Sequence, residues 1–207
     1  MSDENAKPLD EGRGEDGGQL RFLPQALPEV ILIEPPVRRD ERGFFFESYN
    51  AEAWKEAGID DPFGQDNHSL STRGVLRGLH AQAAQPQTKL VRVNEGEIYD
   101  VAVDIRPGSG TFGKWVAATL SAENFRQLYI PPGFAHGFCV QGARAQVAYK
   151  VSGSWDPADE ITIAWDDPQL AIDWPVKKPV ISERDRRGVS LAEASDRLGP
   201  SDGEAES

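Results

Sequence analysis

What most limits the fold of this chain is a succession of short β-type runs, each stopped by a proline, glycine or acidic turn, with hardly a helix between them. Val30-Ile31-Leu32-Ile33 is stopped by Pro35-Pro36, and Asp40-Glu41-Arg42-Gly43 is a turn signature feeding Phe44-Phe45-Phe46-Glu47. Gly96 to Arg106 alternates, with Val101, Val103 and Ile105 on one face, and Pro107-Gly108-Ser109-Gly110 turns it back. Lys114 to Leu120, Gln127 to Ile130, a strand opening at Pro132-Gly133-Phe134-Ala135-His136, Gln146 to Val151 and Glu160 to Trp165 continue the series. Asp166-Asp167-Pro168 and Trp174-Pro175 are expected to close the sheet. One short helix is expected over Asn50 to Ala57, with Asn50 as N-cap and Gly58 as stop. Strands at this spacing predict an all-β sandwich or barrel, and a jelly roll fits because its open interior holds a ligand. No repeating strand-helix unit and no phosphate-binding glycine loop is present.

The densest chemistry lies in Val75 to Lys89, VLRGLHAQAAQPQTK. It reads as a hairpin: one strand through Arg77 and His80, a polar connection around Gln85-Pro86-Gln87, and a second strand opened by Lys89. Strict alternation would put Arg77 and His80 on opposite faces. Gly78 between them marks a bulge that turns both to one side. An imidazole beside two fixed positive charges suits proton removal from a carbon acid whose anion needs stabilising.

The formal net charge of -12 argues against nucleic acid or an anionic membrane as partner. Residues 1–19 and 188–207 each carry net -4 and are poor in apolar residues. They read as disordered acidic tails around one domain spanning 20–187. The single cysteine, Cys139, excludes an intramolecular disulfide and reads as a small buried hydrophobe. No apolar run has the length of a membrane span and the acidic start is no signal peptide, so the cytosol is the expected compartment. Of the three histidines, His68 is expected to be structural. Three consecutive phenylalanines cannot all face one core, so one is expected against a partner subunit or ligand, unless a two-sided sandwich absorbs them. The amides around Gln65 to Asn67 either read a sugar or base or satisfy local backbone.

Asp40 to Glu47, Val75 to His80, Lys89 to Val93, Asp100 to Asp104, Pro132 to Phe138, Tyr149-Lys150, Trp165 to Pro168 and Trp174-Pro175 resemble, in order and spacing, the dTDP-4-dehydrorhamnose 3,5-epimerase family. The resemblance runs from about residue 22 to about 186. It implies a cupin-type jelly roll, a homodimer with an exchanged N-terminal arm, and no cofactor; no metal is expected, because three histidines leave too few ligands. It also implies epimerisation of a 4-keto-6-deoxy sugar carried on thymidine diphosphate. Carried over by position, His80 resembles the base, Asp185 the carboxylate that orients it, Lys89 the cation beside the enolate and Tyr149 the proton donor. That phenol must either have a lowered pKa, which a cationic site would assist, or be re-protonated quickly. Arg77, His136, Glu160 and Arg184 match substrate contacts, Gln65, Asp66 and Asn67 the segment along the nucleotide, and Arg42, Phe45 and Glu47 the arm. Two departures stand out: Ala81 where the family commonly has an aromatic, and Trp155 where a tyrosine stacks on thymine. A tryptophan still stacks.

Three other readings compete with this one. A metal-dependent cupin enzyme needs a second histidine where this chain has Gln82 and a glutamate before Glu95. A non-catalytic sugar-nucleotide binding protein would not need Lys89 or Tyr149. An epimerase acting at C3 only or C5 only would share every motif.

Overall fold

In the computed structural model, which describes residues 18–198, the apolar runs become thirteen strands, accompanied by three short helices. In chain order these are β1 (Arg21–Pro24), β2 (Ile31–Glu34), β3 (Arg38–Asp40), β4 (Gly43–Phe45), α1 (Ala51–Glu56), β5 (Phe63–Thr72), β6 (Leu76–Gln82) and β7 (Lys89–Glu95). They continue as β8 (Glu97–Asp104), β9 (Trp115–Ser121), β10 (Gln127–Ile130), β11 (Phe134–Val140), β12 (Arg144–Ser152), β13 (Glu160–Thr162), α2 (Glu183–Arg186) and α3 (Leu191–Leu198). One antiparallel sheet has the order β1-β2-β10-β7-β12-β5 and a second β13-β6-β11-β8-β9, with β3-β4 a separate hairpin. From β5 onward each strand passes to the opposite sheet from the one before it, β8-β9 excepted, which is the connectivity of a cupin-type jelly roll. No helix among the described residues is long and apolar enough to cross a membrane.

Three apolar clusters follow from this layering. Between the sheets, Val91, Val93, Leu128 and Ile130 meet Ile98, Ala102, Phe134 and Phe138. Outside the five-stranded sheet, Leu79, Val101, Val103, Ile105 and Ala135 pack under Leu170, Trp174, Leu191 and Ala194. Outside the six-stranded sheet, Ile33, Leu90 and Tyr129 pack with Trp54 and Ile59. Burial of each aliphatic such as Leu79 or Ile33 stabilises the fold by about 1.5–3 kcal/mol. Val101, Val103 and Ile105 share one face as the alternation predicts. That face is the outer one, so both faces of β8 are buried.

The local signals read from the sequence hold. Asn50 Oδ1 accepts from the backbone N–H of Glu52 at 3.1 Å and of Ala53 at 3.3 Å, and Gly58 ends the helix at φ +86°. Asp40 to Gly43 turns the β3-β4 hairpin.

Three expectations are corrected. The predicted hairpin over Val75 to Val93 is not one: β6 pairs with β11 and β13, and β7 with β10 and β12, so residues 83–88 cross from one sheet to the other. Both strands are interior, and their partners lie far away in sequence, where a local turn signal carries no information. The tail drawn at 188 begins too early. Val189 bridges Ile163, a Cβ at Gly188 would lie 2.8 Å from Ala164 N, and α3 buries Leu191 and Ala194. The low apolar content of 188–207 concealed that its few apolar residues recur at helical spacing; residues 1–17 and 199–207 lie outside the described part. Finally, Asp166 to Pro175 does not close a sheet but covers one. Asp167 accepts from the backbone N–H of Gln169, Leu170 and Leu191, and Trp174 Nε1 donates to Trp165 O at 2.8 Å.

Candidate active site

The bulge at Gly78 builds the site. Arg77 pairs with Phe138 and His80 with His136, so two residues of β6 stand opposite the single Gly137 of β11. Gly78 has φ +115°, and a Cβ there would lie 2.5 Å from Gly137 Cα and 2.6 Å from His136 O. Only glycine fits. The extra residue brings Arg77 and His80 into one cavity of about 530 Å³, shared with Lys89, His136, Tyr149 and Asp185. A smaller cavity of about 290 Å³ shares His80, Lys89, Tyr149 and Arg184 with it and adds Gln65, Asn67, Gln87, Trp155 and Glu160.

His80 Nε2 lies 2.7 Å from Asp185 Oδ1. Asp185 is buried on α2, with its backbone N–H donated to the N-cap Ser182 Oγ at 3.1 Å. Burial opposes the Asp185 charge, but His80, Ser182 and Arg184 outweigh it and hold the carboxyl below its usual range. For His80, burial lowers the pKa most and Asp185 raises it back; Arg184 and Lys89 lower it, and the net direction is below 6.5. The imidazole is therefore neutral at neutral pH. Arg184 Nη2 also sits 3.2 Å from Nε2, but a guanidinium only donates, and the shorter, charge-assisted bond to Asp185 keeps the proton on Nε2. Nδ1 is left as the basic nitrogen.

Lys89 is 7% exposed and donates from Nζ to His80 O at 3.0 Å. Burial lowers its pKa to about 8, against Glu160 and Asp100, which raise it. It is cationic at neutral pH and close to losing that charge. Tyr149 is on β12 of the six-stranded sheet, across the cavity from His80 on β6 of the five-stranded sheet. Burial raises its pKa, and Arg77 and Arg184 pull it down without prevailing. The lowered phenol pKa considered from sequence is thus corrected: desolvation wins, and the hydroxyl keeps its proton.

Several matched residues converge with these. His136 Nε2 is 2.7 Å from the buried Asp100 Oδ1, a second histidine-carboxylate pair beside the first. Arg77 Nε donates to Ser71 Oγ at 3.0 Å. Trp155 Nε1 donates to Glu160 Oε2 at 2.6 Å, and Arg184 Nη1 lies 2.8 Å from Glu160 Oε1. Gln65 Nε2 donates to Asn67 Oδ1 at 2.9 Å.

Others do not converge within this chain. Asp66 points to the outer face of β5, because neighbours of Gln65 and Asn67 must, and pairs with Lys150 Nζ at 2.7 Å. Arg42 pairs with Asp40, Phe45 is 71% exposed, and Glu47 is exposed. Phe44 and Phe46 hold the base of this hairpin against Phe125, with ring centroids 4.8 and 5.3 Å away. His68 sits outside with Gln146, as expected of a structural residue. At the position where a metal cupin needs a histidine, Gln82 binds loop 153–159 instead. It donates to Asp156 O at 2.9 Å and accepts from Asp156 N at 2.7 Å. Sequence reasoning missed Asp100 as the partner of His136. Its signal was a carboxylate at a buried position of an apolar strand, which demands a partner.

The sequence profile described as dTDP-4-dehydrorhamnose 3,5-epimerase matches residues 24–193. A Pseudomonas aeruginosa protein of that name is 57% identical over 171 residues, 82% of this chain and 94% of that protein. The crystal structure of dTDP-6-deoxy-D-glucose-3,5-epimerase from Legionella pneumophila, in complex with dTDP-4-keto-L-rhamnose, is similar with TM-score 0.85 at 49% identity. It covers 88% of this chain and 98% of that one. A Streptomyces niveus dTDP-4-dehydrorhamnose 3-epimerase is 41% identical over 180 residues, 86% of each.

Proposed function

The chain belongs to the dTDP-4-dehydrorhamnose 3,5-epimerase family, and on that premise we propose that its two adjoining cavities hold the sugar and nucleotide halves of dTDP-4-dehydro-6-deoxy-D-glucose. The chain inverts C3 and C5 of that sugar to give dTDP-4-dehydro-L-rhamnose. The C4 ketone acidifies the hydrogens on both neighbouring carbons. His80 Nδ1 takes one of them, and Asp185 stabilises the imidazolium that forms. The electron pair moves onto the ketone oxygen, where the Lys89 ammonium offsets the enolate charge. Tyr149 returns a proton from the opposite face; its phenolate then recovers a proton from solvent and the His80 imidazolium releases one, which resets both groups for the second carbon. A phenol that stays protonated at neutral pH suits the donor, and a histidine that stays neutral suits the base. The observation that carries this reading is that His80 and Tyr149 line one cavity from opposite sheets.

Arg77 and His136 contact the sugar end, and Trp155 stacks on the pyrimidine with Glu160 and Arg184 around it. Arg42, Phe45 and Glu47 serve the site of a second subunit in a homodimer. The exposure of Phe45 supports that, since an isolated subunit gains nothing by presenting it to water. The similarity to a 3-epimerase keeps C3-only inversion as the second reading. Incubation of the protein with the keto sugar nucleotide in deuterated water, followed by NMR, separates the two. Deuterium at both C3 and C5 with inversion at both supports the first. Label at C3 alone supports the second, and no label at either would sink both.

A further inference from the structure

Four buried side-chain atoms among the described residues have no hydrogen-bond partner: Ser69 Oγ, Gln87 Nε2, Asp100 Oδ2 and Gln127 Oε1. Asp100 already engages His136 through its other oxygen, and Gln127 donates to Ser48 O at 2.9 Å through its amide nitrogen. Gln87 has no such compensation. It is 9% exposed, its amide nitrogen is unmet, and it lines the smaller cavity whose walls also carry Trp155 and Lys89. A buried amide with unmet donors destabilises the free protein, so a fold that retains one calls for a reason.

Slack in the backbone is not that reason, since the segment is fixed on both sides of Gln87. The N–H groups of Ala84 and Gln85 donate to the Asp159 carboxylate at 2.7 and 3.0 Å. Thr88 N–H donates to Ser152 Oγ at 2.8 Å, and Ser152 N–H returns a bond to Thr88 O at 3.1 Å. The Thr88 hydroxyl is bonded to Asp61, which also accepts from Tyr129. A backbone held this firmly places one neutral donor at the cavity wall with nothing among the described residues to receive it. Lys89 and Arg184 already bring charge to that cavity. What an amide adds is direction, two N–H bonds aimed at an acceptor.

We propose that Gln87 is a substrate-binding residue whose side-chain amide donates to an acceptor oxygen of the bound nucleoside diphosphate. The inference rests on the reading that this cavity receives the nucleotide half of the substrate. The acceptor is a diphosphate oxygen or a pyrimidine carbonyl, two sources of the same chemistry.

The test is Gln87→Met, close in shape and without polar atoms, measured by dTDP and pyrophosphate binding and by melting without ligand. The dTDP dissociation constant should rise about tenfold. The unliganded melting temperature should stay level or rise, because an orphaned polar group has been removed. Gln87→Glu, which replaces donors by a charged acceptor, should bind dTDP more weakly still. A parallel loss for pyrophosphate assigns the bond to the diphosphate, and a loss for dTDP alone assigns it to the base. An unchanged dTDP affinity in Gln87→Met overturns the inference, as does a weakened affinity accompanied by a lower unliganded melting temperature, which a purely structural role would give. Wild-type protein that failed to bind dTDP would overturn the nucleotide reading as well.

Discussion

His80 and Asp185 are 105 residues apart in the chain and 2.7 Å apart in the fold, the imidazole Nε2 against a carboxylate oxygen that is almost wholly buried. In the proposed reaction the pair fixes which nitrogen is basic and stabilises the protonated ring after it has taken a proton. Asp185→Asn should therefore lower kcat by about 10²–10⁴-fold. It should also move the acid limb of the pH profile downward, since Asp185 raises the His80 pKa against burial. A variant with near-normal kcat and an unmoved limb would remove Asp185 from the mechanism.

The shape of that profile is a second expectation. His80 must be neutral, and burial holds its pKa below the ordinary histidine value, so the acid-side fall of kcat/KM lies below the pH at which a free histidine would give it. Lys89 must be charged, and its pKa lies at about 8, so kcat/KM falls again above it. Tyr149 titrates above its ordinary value of 10.0 and does not supply the basic limb. The profile is a bell with its basic side near 8. A plateau extending to pH 10 would contradict the role given to Lys89.

Burying Lys89 should also cost stability. Its pKa is 10.5 in the unfolded chain and about 8 in the fold, so between these values the unfolded state holds the extra proton and stability rises with pH. Below about 8 the full penalty is present. Lys89→Met should then slow both isotope exchange and inversion while raising the stability of the free protein at pH 7 by roughly 1–3 kcal/mol. Urea melts across pH 7 to 10 measure it, and a less stable Lys89→Met protein at pH 7 would show that its contacts outweigh its desolvation.

Much of this was legible in the sequence where the cause was local. The cap at Asn50, the turn at Asp40 to Gly43 and the bulge at Gly78 each depend on residues within a few positions, and each is present. The destination of each strand was not legible. Lys89 follows His80 by nine residues, yet the two stand on different sheets, because pairing with Ile130 and Val151 decides where Lys89 goes. Asp185 as the partner of His80 came through resemblance alone, and Asp100 as the partner of His136 was missed. A contact between residues so far apart leaves no trace in either neighbourhood. Residues 188–198 were misjudged because averaging over an acidic segment hid Leu191 and Ala194, the residues that dock it.

The proposed service of Arg42 and Glu47 to a second subunit's site can be tested by mixing variants. Arg42→Ala with Glu47→Ala in one protein, and His80→Ala in another, should each lose activity. Mixed and allowed to exchange subunits, they should recover it, since each mixed dimer holds one body with His80 served by one intact arm. Failure to recover activity in proven mixed dimers would mean that Arg42 and Glu47 act within their own chain or not at all.

The central claim is that base and acid act from opposite walls, and isotope exchange tests it most directly. Each variant is incubated with the keto sugar nucleotide in deuterated water, and label and configuration at C3 and C5 are followed together by NMR. His80→Ala should abolish both exchange and inversion, because no carbanion forms. Tyr149→Phe loses only the hydroxyl, so His80 can still remove and return a proton on its own face, and label should enter with little inversion. Inversion at the normal rate in Tyr149→Phe, or exchange persisting in His80→Ala, would contradict the assignment of the two roles.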